Sequence, residues 1–333
     1  MSKKIMTCIL LLCLFVTLLP SCAAKKEISK SFYFMDTVIT VTLLDVTEKK
    51  AEPVFSDCNQ ILMELDLLWA RQKKESDVAK INASASGDVP LDDRTVLLLQ
   101  KALTVTEVSD GAFDITVAPL VDLWKSCEQA ERLPTSLELS EVCAKIGKNN
   151  LYFEGNTLKK SSSEVQIDLG GIGKGAAIEC LIAYLQSCDL QGGIVSFCSN
   201  VAVFGEKRDG SPFRIGIRDP KDPNATVGSV TLKNGEILSV SGDYERYVTI
   251  DGVRYHHILN PQNGYPASTG LSSVVVICTD GAYADALSTA LFVMGVERSV
   301  ALYQAATFDF EAIFIASDGR IKTTNGLLDA NFY

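Results

Sequence analysis

Asp251-Gly252 and Asp318-Gly319 each sit between two short apolar or β-branched runs. An Asp-Gly pair in that setting signals a hairpin, with a two-residue turn at Asp251-Gly252, and commits its flanks to antiparallel pairing. The runs are 247–250 with 253–256, and 310–316 with 321–323. Further strand-like runs cover 38–43, 194–204, 213–217, 227–232, 237–240 and 272–278. Helices are interspersed among them. Phe55, Cys58, Leu62, Leu65 and Trp69 recur at spacings of 3, 4, 3 and 4. Val96, Leu99, Leu103 and Thr106 repeat that pattern behind Asp92 and Asp93, which suit a helix start, and Gly111 ends the helix. Two more helices are expected, one with Ile178, Leu181, Ile182 and Leu185, and one over 282–294. Residues 128–150 are polar and read as a surface excursion. Strand runs joined by hairpins, with helices between them, argue an α+β fold of mixed or antiparallel sheets with packed helices. No repeat or linker divides the chain, so one domain is expected over 32–333.

The amino terminus has a different character. Lys3 and Lys4 precede an apolar run over 5–19, short for a membrane span of about 20 residues. A basic start and a short apolar core describe a secretory signal over 1–21. Leu19-Pro20-Ser21-Cys22 resembles a bacterial lipobox, which implies diacylation of Cys22, a polar tether over 22–31 and a lipid-anchored protein on the extracytoplasmic face of the cell membrane. Seven cysteines follow Cys22, with no C-x-x-C pair, and several lie in apolar runs such as Val276-Ile277-Cys278. They read as buried thiols rather than as disulfide or zinc ligands. The net charge is −10, with no basic block, which argues against a nucleic-acid partner.

Four segments carry residues suited to chemistry. Asp168-Leu169-Gly170-Gly171-Ile172-Gly173-Lys174-Gly175 places four glycines in a strand-to-helix turn. Backbone can approach a ligand closely there, and the helix N-terminus favours a phosphate. It matches neither G-x-x-x-x-G-K-[ST] nor G-x-G-x-x-G, and by itself a structural turn explains it equally well. The only two histidines, His256 and His257, are adjacent. Strand alternation sends them to opposite faces, so one can meet a ligand while the other packs; alone, a half-buried strand pair is the plainer reading. Asp285 and Thr289 share one helix face, a carboxylate and a hydroxyl that are hard ligands for Mg²⁺. The alternative is a polar stripe, although small apolar neighbours suggest a buried face. Finally, Ala112-Phe113-Asp114 sets an aromatic beside an acid, suited to a planar heterocycle or simply to a helix exit.

In order along the chain, these segments resemble the FAD:protein FMN transferase, or ApbE, family. The resemblance runs from Met35-Asp36-Thr37 through Ala112–Thr116, Asp168–Gly175, Ser241-Gly242-Asp243-Tyr244-Glu245-Arg246 and His257-Ile258-Leu259-Asn260-Pro261 to Ala284–Thr289. It implies a T-fold-like core and a Mg²⁺-dependent reaction with FAD as substrate. FMN passes to a threonine or serine hydroxyl of an acceptor protein, such as a membrane redox subunit, and AMP leaves. It further implies His257 as general base, and Gly171 (through its backbone oxygen), Asp285 and Thr289 as metal ligands. Met35, Ala112, Phe113, Asp114, Asp168, Lys174 and Ile258 map to flavin-contacting positions. Asn260 stands where many members have Asp, and residues 69–78 align only loosely, so no flavin contact is carried over there. Two other functions use the same residues: a Mg²⁺-dependent FAD pyrophosphatase giving FMN and AMP, and a non-catalytic flavin-binding lipoprotein, which needs neither His257 nor the metal pair.

Overall fold

Residues 273–278 read Ser-Val-Val-Val-Ile-Cys, apolar at consecutive rather than alternate positions. A strand like this needs both faces covered. In the computed structural model, which describes residues 25–155, 157–327 and 331–332, it has both. Strand β12 (Leu271–Cys278) pairs antiparallel with β9 (Ile237–Gly242) on one side and β13 (Glu311–Ala316) on the other. Val274 and Val276 face the main core, while Val275 and Ile277 face a second apolar layer.

The whole sheet has eight strands, all paired antiparallel. Their order is β1 (Lys26–Phe34), β2 (Thr37–Val46), β5 (Gly192–Phe197), β6 (Asn200–Gly205), β9, β12, β13 and β14 (Ile321–Thr323). A three-stranded sheet of β15 (Asn331–Phe332), β8 (Asp222–Leu232) and β7 (Phe213–Asp219) supplies Phe213, Ile217, Val230 and Leu232 to the second layer. Two hairpins stand apart, β3 (Leu151–Glu154) with β4 (Thr157–Lys160), and β10 (Tyr247–Ile250) with β11 (Val253–His256). The helices are α1 (Glu48–Trp69), α2 (Asp77–Ala83), α3 (Asp93–Val108), α4 (Ala118–Gln129), α5 (Ser136–Cys143), α6 (Gly173–Ser187) and α7 (Gly281–Gln304). α6 and α7 lie against the central strands and bury most of their residues, so α7 is apolar on nearly every side. The expected α+β architecture is what the chain forms.

Several expectations change in detail. Lys26–Ser31, read as part of a tether, belongs to edge strand β1. Its polar residues are the exposed face and rim of that edge. Lys26 and Lys30 pair with Glu48 and Glu52 of α1 at 2.7 and 2.9 Å, while Phe32 is buried. The excursion at 128–150 contains α5, whose Thr135 and Glu138 form a capping box and whose Leu139 is buried. Residues 194–204 are two strands, reversed at Cys198 with φ 55°. The last long helix continues past 294 to Gln304, broken at Gly295, whose φ of 75° is open to glycine. Residues 167–169 are no strand: the Asn82 amide accepts from the Ile167 N–H at 2.7 Å and donates to its carbonyl at 3.0 Å, replacing a sheet neighbour. The signal sequence and Cys22 lie outside the described residues. The seven later cysteines are free thiols, but only Cys58, Cys127 and Cys278 are buried; Cys143, Cys180 and Cys188 are half-buried, and Cys198, in the turn between β5 and β6, is exposed.

Candidate functional site

Two glycines build the centre of the site. The first turns of α6 and α7 touch at Gly175 and Gly281, where a methyl group on Gly175 would fall 1.9 Å from the Gly281 carbonyl oxygen. Any side chain at either position would push the helices apart. Their contact carries Asp285, on the second turn of α7, under the start of α6. Asp285 is 3% exposed; its Oδ2 accepts the Gly175 N–H at 3.0 Å and lies 3.5 Å from Lys174 Nζ. One N–H of the α6 N-terminus, expected to serve a phosphate, is therefore already used by a carboxylate. Lys174 also donates to the Gly170 carbonyl at 2.7 Å, so its ammonium bridges the glycine turn and Asp285.

The glycine turn then meets the aromatic. A methyl group on Gly171 would lie 3.1 Å from Phe113 Cε2 and 3.7 Å from Thr289 Oγ1, so only a glycine leaves this junction open. Asp168 shapes the turn: its Oδ1 accepts the Gly170 N–H at 2.7 Å, and its Oδ2 lies 3.3 Å from Arg71 Nε. Ala112, Phe113 and Asp114 are buried. Asp114 Oδ1 accepts both the backbone N–H and the hydroxyl of Thr116, and burial raises its carboxyl pKa above the usual range. Met35 is placed differently. With Asp36 it forms the β1–β2 turn, both at positive φ, and its N–H bonds Asp66 rather than any residue of the Asp285 group.

The histidines separate by their hydrogen bonds. His256 ends β11, stacks edge-on against Phe292 and is half-buried. Its Nε2 lies 3.0 Å from the Ala267 carbonyl, and its Nδ1 accepts the Ile258 N–H. A carbonyl only accepts, so Nε2 carries the proton and both nitrogens are occupied. His257 lies just beyond the strand and keeps solvent access. Its Nδ1 is 3.1 Å from the Arg246 carbonyl, which fixes the proton on Nδ1 and leaves the Nε2 lone pair free. Surrounding protein desolvates the ring, and the charges of Arg246 and Lys174 oppose its protonation further, so its pKa falls to about 4. His256 is lowered as well, chiefly by burial. Buried Ile258 follows, and its carbonyl accepts from Ala267. The loop is anchored by Trp124, whose Nε1 donates to the Gly264 carbonyl at 2.7 Å.

Thus Phe113, Asp168, Gly171, Lys174, Asp285 and Thr289 converge, with His257 close enough to feel Lys174. Sequence reading missed Arg71, which grips Asp122 through two hydrogen bonds of 2.9 and 2.7 Å while meeting Asp168. It also missed Ser239 and Ser288, and the hydroxyl role of Ser241 beside Thr289. Ser239 and Ser241 alternate along one strand face, which the period of two could have revealed. Nothing in the spacing of Arg71 marks it.

Residues 35–314 match the sequence model of the ApbE family. The FAD:protein FMN transferase of Vibrio cholerae serotype O1 is 32% identical over 267 residues, covering 79% of this chain and 80% of that protein. The protein of the same name from Treponema pallidum is 30% identical over 326 residues, covering 92% and 89%. Among solved structures, the ApbE protein of Thermotoga maritima aligns with a TM-score of 0.81 at 31% identity, over 90% of this chain and 98% of that one. The Pseudomonas stutzeri flavinyl transferase ApbE, in its apo form, gives 0.77 at 32% identity, over 91% and 96%.

Proposed function

Since the chain belongs to the ApbE family and is a flavin transferase, we propose that it moves FMN from FAD to a threonine or serine hydroxyl of an acceptor protein, with Mg²⁺, and releases AMP. The observation that carries this reading is His257, whose Nδ1–H is held by the Arg246 carbonyl, while among the described residues no hydrogen bond engages Nε2. In the proposed step, the acceptor hydroxyl gives its proton to Nε2 as its oxygen attacks the FMN-side phosphorus. The bond from that phosphorus to the bridging oxygen breaks, and the oxygen departs with AMP. Lys174 adds positive charge where negative charge builds up. Met35, Ala112, Phe113, Asp114, Asp168 and Ile258 are assigned to FAD contact.

The Asp285 carboxylate, the Thr289 hydroxyl and the Gly171 carbonyl are hard oxygens, which fits Mg²⁺ and would fit a softer metal poorly. When bound, the cation supplies charge neutralisation to the pyrophosphate. The test is to incubate the protein with FAD, Mg²⁺ and a candidate acceptor, such as a membrane redox subunit from the same cell. Covalently yellow acceptor on a denaturing gel is the expected result. FMN and AMP in solution with colourless acceptor would replace transfer by FAD hydrolysis.

The lipobox-like Leu19-Pro20-Ser21-Cys22 supports a lipid anchor that keeps the enzyme on the extracytoplasmic membrane face, where exported acceptors lie. A diacylglyceryl group gives stable anchoring where one chain would not. Cys22→Ser is therefore expected to move the exported protein into the soluble fraction. An unchanged membrane fraction would refute the anchor.

A further inference from the structure

Behind Asp285 and Thr289 lies a set of buried hydroxyls that the proposed reaction leaves without a task. Alternation along β9 brings Ser239 and Ser241 toward α7, and Asn200 stands opposite Ser239 on β6. Ser239, Ser288 and Asn200 are 0% exposed, and Ser241 9%. Each hydroxyl has one proton to give, which directs these bonds and leaves the 3.4 Å contact between Ser239 and Ser288 without a proton. Ser288 Oγ lies 2.9 Å from the backbone carbonyl of Asp285, which only accepts, so Ser288 donates there. Ser241 Oγ, 2.8 Å from Ser288 Oγ, must then donate to it. Thr289 Oγ1, 3.2 Å from Ser241 Oγ, must in turn donate to Ser241. The chain ends with the Thr289 proton turned toward Ser241 and its lone pairs left to accept.

The second branch orients the carboxylate. Ser239 Oγ is 3.3 Å from Asp285 Oδ1 and 3.3 Å from Asn200 Oδ1. Its single proton goes to the carboxylate, the stronger acceptor. Two oxygens without a proton between them would then face each other. The Asn200 amide must therefore turn its Nδ2 toward Ser239, an orientation that is settled by the hydrogen-bond network. With oxygen facing Ser239, the buried Nδ2 has no partner among the described residues. Turned, it has Ser239 and also Ser199, which lies 3.0 Å from the same amide position. The unpaired atom becomes a carbonyl oxygen, which tolerates that state better than an N–H.

We propose that Ser241 and Ser239, backed by Ser288 and Asn200, are positioning residues that hold the Thr289 and Asp285 oxygens as acceptors toward a divalent cation. The proposal rests on the reading of Asp285 and Thr289 as the metal ligands. It is tested by titrating the purified protein with Mn²⁺ in the presence of FAD and reading free Mn²⁺ by electron paramagnetic resonance. Loss of an outer-shell partner typically weakens metal binding about 10–100-fold. Ser241→Ala and Ser239→Ala are each expected to weaken Mn²⁺ binding by about tenfold or more. FAD binding in EDTA and the melting temperature should stay near wild type, and the lost rate should return at saturating Mg²⁺. A general packing defect would instead disturb FAD binding and melting together. Should Ser239→Ala fail to fold, Ser241→Ala carries the test, since Ser241 is the least buried of these four residues. Mn²⁺ affinity within about twofold of wild type in the folded variants would overturn the proposal alone. A wild type that binds no Mn²⁺ would remove the metal reading and this proposal with it.

Discussion

His257→Ala is expected to keep FAD bound and to lose flavin transfer by about 10²–10⁴-fold, the usual contribution of a general base. His256→Ala should be far milder in catalysis. The two rings are adjacent in sequence, but His256 has both nitrogens committed to the Ala267 carbonyl and the Ile258 N–H, whereas His257 keeps one lone pair free. The cost of His256→Ala should appear in stability, through the lost packing on Phe292. Covalent flavin on the denatured acceptor, set beside FAD titration, separates the two outcomes, and a reversed order would overturn the assignment. The pH dependence adds a check. With its pKa lowered to about 4, His257 in the free enzyme is neutral well below pH 6.5, so the acid limb of kcat/KM should not fall at the ordinary histidine position. A bound anionic pyrophosphate favours the imidazolium, so the acid limb of kcat should lie at higher pH than that of kcat/KM. Stability moves in a defined direction too. Between pH 6.5 and about 4 the unfolded chain takes up a proton that folded His257 refuses, so its contribution to stability falls as pH drops through that window.

The difference between the histidines shows where sequence reading succeeds and where it stops. Alternation predicted that the pair would diverge, and the resemblance pointed to His257. The reason lies in two carbonyls, Arg246 and Ala267, each about ten residues away along the chain. Backbone acceptors leave no mark in residue type. The Asp251-Gly252 turn was legible because a two-residue hairpin demands such residues, both at positive φ; at Asp318-Gly319 the hairpin closes over a longer loop, and of the pair Gly319 alone has positive φ. β1 was not, because an edge strand with a lysine-lined rim has the composition of a tether until its partner, β2, is known. The same limit hid Arg71, whose importance comes from Asp122 and Asp168, about 50 and about 100 positions away. At the glycine turn the spacing showed that backbone could come close to a neighbour, but not which element would pack there. Gly175 packs on Gly281 and gives its N–H to Asp285, and that contact is what places a carboxylate at the start of α6.

That placement makes Asp285→Asn the sharpest test of the metal. The amide has the shape of the carboxylate and can be accommodated in one orientation, with its oxygen accepting from Gly175 and its Nδ2 donating to Ser239. The fold should therefore survive. Removing the carboxylate leaves Lys174 without its charge partner, but Lys174 is partly exposed and keeps the Gly170 carbonyl, so the loss of stability should be modest. What disappears is a negative charge among hard oxygens, and with it most of the attraction for Mg²⁺. FAD keeps its other contacts, so its affinity should change little, while transfer should fall by about 10²–10³-fold, the scale of losing one electrostatic stabiliser of the transition state. EDTA should reproduce the defect in the wild type, and added Mg²⁺ should reverse it there but not in Asp285→Asn. Full transfer by Asp285→Asn, or by the wild type in EDTA, would take the metal out of the mechanism. Charge neutralisation would then fall to Lys174. In that case Lys174→Ala, rather than Asp285→Asn, should abolish transfer.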